Sequence, residues 1–186
     1  MQKIYQKILK KAIPYYKKGR FGDVKHIKWL VRTIPKLVDE SEIDFDILLP
    51  VAILHDVGYC KVKKRANPFD LDIRKLHSKE GSKIAEKILK ELNYDKNKIK
   101  EIKRLILKHD NWAFGDNFKD EPILLLFQNF DFMWMASKEG FNIVRKFMKM
   151  DKERFYYQIK EFQKRDIKKW FNKKIEKYYK ELMKKH

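Results

Sequence analysis

The stretch Ile47-Leu-Leu-Pro-Val-Ala-Ile-Leu-His55-Asp56-Val-Gly58-Tyr59 decides how the rest of this chain is interpreted. Its apolar run has the length of a buried helix and ends on an imidazole and a carboxylate, followed by a glycine. We expect Gly58 to end the helix with φ > 0. A buried imidazole and carboxylate are costly without partners. A metal ion would satisfy both; alternatively, His55 caps its own helix and Asp56 pairs with a lysine.

The composition predicts an all-α, single-domain helical bundle over residues 1–186. Apolar residues make up 44% of the chain and aromatic residues 14%, which supports a packed core. Six glycines and five prolines among many lysines, glutamates and leucines are typical of helices. The single cysteine excludes an internal disulfide. Without an apolar signal segment or a membrane-length apolar run, we expect a cytoplasmic protein.

The net charge of +19 has two interpretations. Such a field attracts polyanions, including nucleic acids, nucleotides, anionic lipids and phosphorylated small molecules. A surface rich in lysine and glutamate is also typical of thermophilic proteins, in which charge serves stability. The positive residues are spread along the chain, so the sequence leaves both interpretations open.

Four histidines are predicted to lie at or near the ends of helices. Asp23 is a suitable N-cap, which places His26 in the first turn of its helix. Ser78 is expected to cap another helix, with His77 at its mouth. A helix that starts at Asp95 has an apolar face that ends on His109.

The most apolar run of the chain, residues 123–136, follows Pro122 at a helix start and contains Asp131. A buried aspartate requires a partner, which is either a metal ion or a lysine in a structural salt bridge. We predict two long helices between Gly140 and His186, forming a C-terminal helical hairpin with lysines in solvent.

Four histidines and two aspartates along the chain form one ordered set that suits metal binding. One metal centre explains their positions more economically than separate structural roles. Mixed imidazole and carboxylate ligation favours Mn, Fe, Co, Ni or Zn. Six ligands exceed the needs of one open ion, which suggests two ions bridged by Asp56. The set is His26, His55, Asp56, His77, His109 and Asp131.

The ordered set resembles the HD superfamily of metal-dependent phosphohydrolases over roughly residues 20–136. The segments Gly22-Asp-Val-Lys-His26 and His77-Ser-Lys-Glu-Gly-Ser82 also resemble the surroundings of these ligands in small prokaryotic members. The resemblance implies a helical HD-type domain with its metal-ligand core in 20–136 and a hairpin at 140–186. It also implies ligands for a first ion, which would be His26, His55, Asp56 and Asp131. His77 and His109 would hold a second ion.

One position departs from the family pattern. Several phosphodiesterase-type members carry a lysine directly after His-Asp-x-Gly, where this chain has Tyr59. The missing positive charge is then expected from Lys61 or Arg65, which emerge from the loop beyond Gly58.

The predicted function is hydrolysis of a phosphomonoester or phosphodiester, with a metal-bridged hydroxide as nucleophile. The expected substrate is a nucleotide. We assign catalytic roles to Asp56, Lys61 and Arg65. The expected substrate-binding residues are Lys61, Arg65, Arg74, Lys108 and Trp112. Trp112 either stacks on a base or packs its loop onto the core.

Two other functions fit the same residues. The binuclear ligand set also resembles that of a branch of di-iron oxygenases in the superfamily. A basic nucleic-acid-binding module with a structural metal is the non-enzymatic alternative. The expected partner is a phosphorylated small molecule or nucleotide, with nucleic acid as a further possibility.

Overall fold

A computed structural model describes residues 2–63 and 66–186 of the chain. Within these residues the regular secondary structure is helical and contains no strand, which confirms the all-α prediction. The chain divides into two compact units, Met1–Asp116 and Asn117–His186. That 1–186 forms a single domain stays a prediction.

The first unit contains five α-helices and two short 3-10 helices among the described residues. The α-helices are α1 (Lys3–Tyr16), α2 (Asp23–Leu37), α3 (Phe45–Leu54), α4 (Leu71–Glu91) and α5 (Lys96–Lys108). The 3-10 helices span Val57–Lys61 and Asn111–Phe114.

Helix α3 forms the centre of the first unit. Leu48, Leu54 and the residues between them are buried, so this helix is apolar on all sides. It packs against α1, α2 and α5, while α4 packs against α5 and the 3-10 helix Val57–Lys61. Asp44 is its N-cap and accepts a hydrogen bond from the backbone N–H of Asp46 at 2.8 Å. The stretch that ends in His55-Asp56 is therefore held in the middle of the unit.

Gly58 has a different role from the one that the sequence predicts. The described glycines with positive φ are Gly22 and Gly115, so the expectation of φ > 0 at Gly58 is wrong. A Cβ atom at Gly58 would lie 1.9 Å from the carbonyl oxygen of His77 and 2.5 Å from the backbone nitrogen of Gly81. Glycine is required because two backbone segments approach each other there.

Two helix starts also differ from the sequence prediction. Asp23 is the first residue of α2, and the N-cap position belongs to Gly22, whose φ is 99°. Helix α4 begins well before Ser78, because Asp70 accepts hydrogen bonds from the backbone N–H groups of the first turn. His77 therefore lies inside a helix of 21 residues and not at its mouth.

The second unit contains four α-helices among the described residues. They are α6 (Pro122–Met133), α7 (Lys138–Phe147), α8 (Lys152–Asp166) and α9 (Lys173–Met183), with a 3-10 helix at Trp134–Ala136. Residues 140–186 thus contain parts of three helices and not two long ones. The additional break follows from Lys149, with φ of 55°, and Asp151, which caps α8 by accepting a hydrogen bond from Arg154 N–H. Among the described residues, no helix is both long and apolar enough to cross a bilayer.

Candidate metal centre

Four helices of the first unit place four histidines and one aspartate side by side. His26 comes from the first turn of α2, His77 from the middle of α4, and His55 and His109 from the C-caps of α3 and α5. Asp56 follows α3 directly. All five side chains are buried, with residue exposures of 6% or less. This degree of burial is unusual for a carboxylate and indicates that its charge is compensated.

The five residues form two groups that share Asp56. The first group is His26, His55 and Asp56, and the second is Asp56, His77 and His109. Within each group, one ligand atom from every residue lies within 4.8 Å of the others. Ligands of one ion with bonds of about 2.1 Å are separated by about 3 to 4.2 Å. The ligand atoms of the second group lie 3.2 to 3.6 Å apart, and those of His55 and Asp56 in the first group lie 3.2 Å apart, so these separations already suit one ion.

The two oxygens of Asp56 face different groups. Oδ2 lies 3.2 Å from Nε2 of His55, while Oδ1 lies 3.3 Å from Nε2 of His77 and 3.6 Å from Nε2 of His109. A carboxylate in this orientation can bind one cation through each oxygen. The predicted role of Asp56 as a bridge thus has a geometric basis in the positions of its own atoms.

Backbone carbonyl groups orient three of the imidazoles. Nδ1 of His55 lies 3.2 Å from the Ala52 oxygen, and Nδ1 of His77 lies 3.1 Å from the Ile73 oxygen. Nδ1 of His109 lies 2.7 Å from the oxygen of Ile106, its neighbour three residues earlier. A carbonyl can only accept, so each Nδ1 carries the proton and donates. In its neutral form, each ring then presents the lone pair of Nε2 to the carboxylate.

Acceptor atoms consequently converge at this centre. Nε2 of His77 is 3.2 Å from Nε2 of His109, and both lie near a carboxylate oxygen. Imidazole lone pairs and carboxylate oxygens repel one another unless a proton or a cation lies between them. Neutral imidazoles with fixed Nδ1–H groups are the form that binds transition metals. The donor set therefore fits a divalent metal ion.

The pKa shifts differ among the histidines: the pKa of His109 is raised, whereas the pKa values of His26 and His77 are lowered. Burial would lower the pKa of His109, but the charges of Asp110 and Asp56 raise that pKa to about 9. Burial is also the main cause that lowers the pKa of His26 and of His77. Burial disfavours ionised Asp56, but nearby Arg20 and His55 hold the pKa of this carboxyl well below its usual range. Without metal, a proton on His109 supplies the missing charge.

Arg20 and Asp23 flank the first group and were not predicted from the sequence as parts of the site. Arg20 forms an ion pair with Asp56, and its Nη2 also lies 3.2 Å from Oδ1 of Asp23. Asp23 is buried, and this burial raises its pKa to about 6 against the opposing charge of Arg20. The spacing Arg20-x-x-Asp23-x-x-His26, which repeats every three residues into a helix start, is the signal that could have identified them.

Arg74, Asp110 and Trp112 flank the second group. Nη1 of Arg74 lies 2.8 Å from Oδ1 of Asp110, and Oδ2 of Asp110 lies 3.6 Å from Nε2 of His77. The Arg74 guanidinium also lies over the Trp112 ring, 4.7 Å from its centroid. The sequence analysis missed Asp110, although His109-Asp110 repeats the dipeptide His55-Asp56. The structure thus brings two predicted substrate residues, Arg74 and Trp112, beside the second group.

The remaining predicted residues are placed as follows. Lys61 is exposed at the end of its 3-10 helix, and Lys108 is half-buried as the last residue of α5. Arg65 lies outside the described residues. Asp131 belongs to α6 of the second unit and is half-buried. The roles of these four residues in catalysis, substrate binding or metal ligation stay predictions.

Comparison with known proteins agrees with this centre. The sequence profile of the HD domain matches residues 23–128, which is more than half of the chain. This interval contains both three-residue groups. No curated protein and no solved structure matches the chain.

Proposed function

Because this chain belongs to the HD-domain family, we propose that it is a metal-dependent phosphohydrolase acting on a phosphomonoester or phosphodiester, in particular that of a nucleotide. The observation that supports this proposal best is the shared position of Asp56 between two buried ligand groups. Such a pair of adjacent sites suits the in-line displacement at phosphorus that binuclear enzymes catalyse.

Each group would hold one divalent ion. His26, His55 and Asp56 would hold the first, with Asp131 as the predicted fourth ligand. Asp56, His77 and His109 would hold the second. When bound, such ions lower the pKa of a water molecule and neutralise charge on phosphoryl oxygens.

The side chains of the chain itself prepare this chemistry. Asp56 supplies negative charge to both sites through separate oxygens. The carbonyls of Ala52, Ile73 and Ile106 fix the ring orientations, so the histidines need little reorganisation. Arg74 and Trp112, together at the second group, offer a cation for phosphate and a flat apolar face for a base.

A screen of phosphomonoesters and phosphodiesters with added manganese tests the proposal. We expect activity that disappears in His55→Ala and Asp131→Ala and persists in the control Asp120→Ala, which changes an exposed aspartate of the second unit. Full activity in both His55→Ala and Asp131→Ala would refute the proposal. Oxygen uptake with iron, together with no hydrolysis with manganese, would replace it with a di-iron oxygenase.

We also propose that the loop between α8 and α9 binds single-stranded nucleic acid, because its backbone is fixed and carries an aromatic residue close to exposed lysines. Fully buried Asn129 donates to the Lys169 carbonyl at 3.2 Å and accepts from the Phe171 N–H at 2.7 Å. The loop backbone is thereby fixed, which lowers the entropic cost of binding. Trp170 stacks on Tyr179 with 5.0 Å between ring centroids. Four exposed lysines lie close to Trp170 in the sequence: Lys168, Lys169, Lys173 and Lys174.

Anisotropy titrations with a labelled oligonucleotide at several salt concentrations test this second proposal. Replacing these four lysines, two in the loop and two in the first turn of α9, with alanine should lower the slope of log K against log salt by about 3, because each phosphate contact contributes about 0.7. A matched control replaces four exposed lysines of the first unit: Lys3, Lys7, Lys10 and Lys17. An equal loss in the control variant, or a loss of binding on chelation, would contradict a specific loop interface.

A further inference from the structure

Arg20 holds the carboxylate of Asp56 on the side of the first ligand group. It lies in the segment between α1 and α2, and its Nη2 donates to Oδ2 of Asp56. Its Nε also donates to Oδ2 of Asp23 at 3.3 Å. The arginine side chain is 34% exposed although both carboxylates are buried. Arg20 therefore neutralises two buried carboxylates while part of its own side chain contacts solvent.

Tyr59 provides a third support for Arg20. The guanidinium carbon lies 3.6 Å from the centroid of the Tyr59 ring, a close cation–π contact. The same ring is stacked on His77, with 4.1 Å between centroids and an interplanar angle of 15°. Two groups at these distances cannot share one face, so the tyrosine ring lies between the arginine and the histidine. The positively charged guanidinium of Arg20 therefore lies against Tyr59, the residue at the position where several phosphodiesterase-type members carry a lysine.

A divalent ion and Arg20 compete for one atom. Oδ2 of Asp56 is the oxygen that faces His55, and it is also the oxygen that accepts from Arg20. A metal ion at the first group would repel the guanidinium and take over part of the negative charge that holds it. The contacts with Asp23 and Tyr59 do not involve this oxygen, so they can keep Arg20 beside the site.

We propose that Arg20 is the counter-cation of Asp56 in the metal-free protein and the phosphate-binding residue of the metal-loaded protein. This inference rests on the proposed function, since it assigns a residue that recognises the phosphate of the substrate. Displaced from Oδ2, the guanidinium keeps N–H groups free to donate to phosphate oxygens in pairs. Asp23 and Tyr59 fix its position, which makes them positioning residues.

Arg20 suits this role better than Arg74, the arginine at the second group. The Arg74 side chain is only 10% exposed and bonds to Asp110 at 2.8 Å. Asp110 is not a member of either three-residue group, so metal binding there does not directly displace Arg74. Arg20 alone of these two arginines is both bound to a group member and open to solvent.

Calorimetric titration of the metal-free protein with manganese gives the first test. Arg20→Met removes the competing cation, so we expect manganese to bind about tenfold more tightly than in the wild type. Arg20→Lys keeps the charge and should stay near the wild type. Arg104→Met is the matched control, because Arg104 is also an arginine in an ion pair, here with Glu101, and 40% exposed.

Binding of vanadate or inorganic phosphate to the manganese-loaded protein gives the second test. We expect Arg20→Met to weaken anion binding at least tenfold, Arg20→Lys to restore part of it, and Arg104→Met to change nothing. The two measurements on Arg20→Met thus move in opposite directions. Weaker binding of both manganese and phosphate would show that Arg20 only maintains the shape of the site. Unchanged phosphate binding would exclude the contact.

These outcomes separate this inference from the proposed function. Neither titration requires turnover, so opposite shifts support the role of Arg20 even if every phosphoester in the screen remains intact. Conversely, if the wild type hydrolyses a phosphoester and Arg20→Met leaves its KM unchanged, the hydrolase proposal stands and the role of Arg20 is refuted.

Discussion

Replacing Gly58 with alanine should disrupt the second ligand group through a purely steric effect. The added Cβ would lie 1.9 Å from the His77 carbonyl oxygen, whereas an ordinary contact begins at 3.4 Å. The shortfall is about 1.5 Å, and the atoms in conflict are backbone atoms, which cannot rotate away. Helix α4 and the 3-10 helix Val57–Lys61 must therefore separate.

This separation acts directly on His77 and Asp56. Their ligand atoms lie 3.3 Å apart, and a displacement of the same size along this line would place them about 4.8 Å apart. Ligands on opposite sides of one ion span at most about 4.2 Å. We therefore expect Gly58→Ala to lose metal from the second group. Overpacking of this kind also costs about 3 kcal/mol of folding free energy.

Chemical denaturation and metal titration of the same preparation measure the two effects. Gly19→Ala is the control, because its Cβ would meet its nearest neighbour, on Tyr59, at an ordinary 3.4 Å. We expect Gly19→Ala to keep wild-type stability and metal content. A Gly58→Ala protein with wild-type stability and both metal ions would refute the argument that close backbone contact positions His77.

Two further predictions concern regions outside the centre. The hydrogen bonds from Lys98 and Tyr5 lower the pKa of Asp46, so its carboxylate stabilises the fold above the unfolded pKa of about 4 and this contribution is lost as pH falls below it. Asp46→Asn should therefore lower the free energy of unfolding at pH 7 by about 0.5 kcal/mol, a small value because the side chain is 45% exposed. It should also make stability depend less on pH between about pH 2 and 7. Thermal melts over this range that show the wild-type pH dependence would contradict this prediction. Asn129→Ala removes both loop hydrogen bonds of the fully buried Asn129 side chain and should cost about 2 kcal/mol in urea unfolding. A loss below 0.5 kcal/mol, roughly the error of such differences, would show that the loop is held by other contacts.

Local signals in the sequence predict two helix starts correctly. Asp95 caps its helix because its side chain accepts from a first-turn N–H group, as its type suggests. Pro122 begins α6. His55 and His109 were predicted as ligands because each ends an apolar face, and both lie beside Asp56 at the ends of their helices. These features depend on short segments, which a sequence shows directly.

Features that depend on contacts between distant segments were missed. Nothing local distinguishes Gly58 as a close-approach glycine from a helix-ending glycine, because the atoms that it would meet belong to His77 and Gly81. Ser78 is a common N-cap type, yet the stronger cap at Asp70 starts α4 earlier. Arg20 becomes part of the site only through its contacts with Asp56 and Tyr59.

Metal stoichiometry tests the shared position of Asp56 most directly. Elemental analysis of purified protein loaded with manganese or iron should give two ions per chain for the wild type. The double variant His77→Ala/His109→Ala should retain one ion, and Asp56→Asn should retain fewer than one, because it weakens both groups together. Two ions in Asp56→Asn, or the same metal content in the double variant as in the wild type, would contradict a bridged binuclear centre.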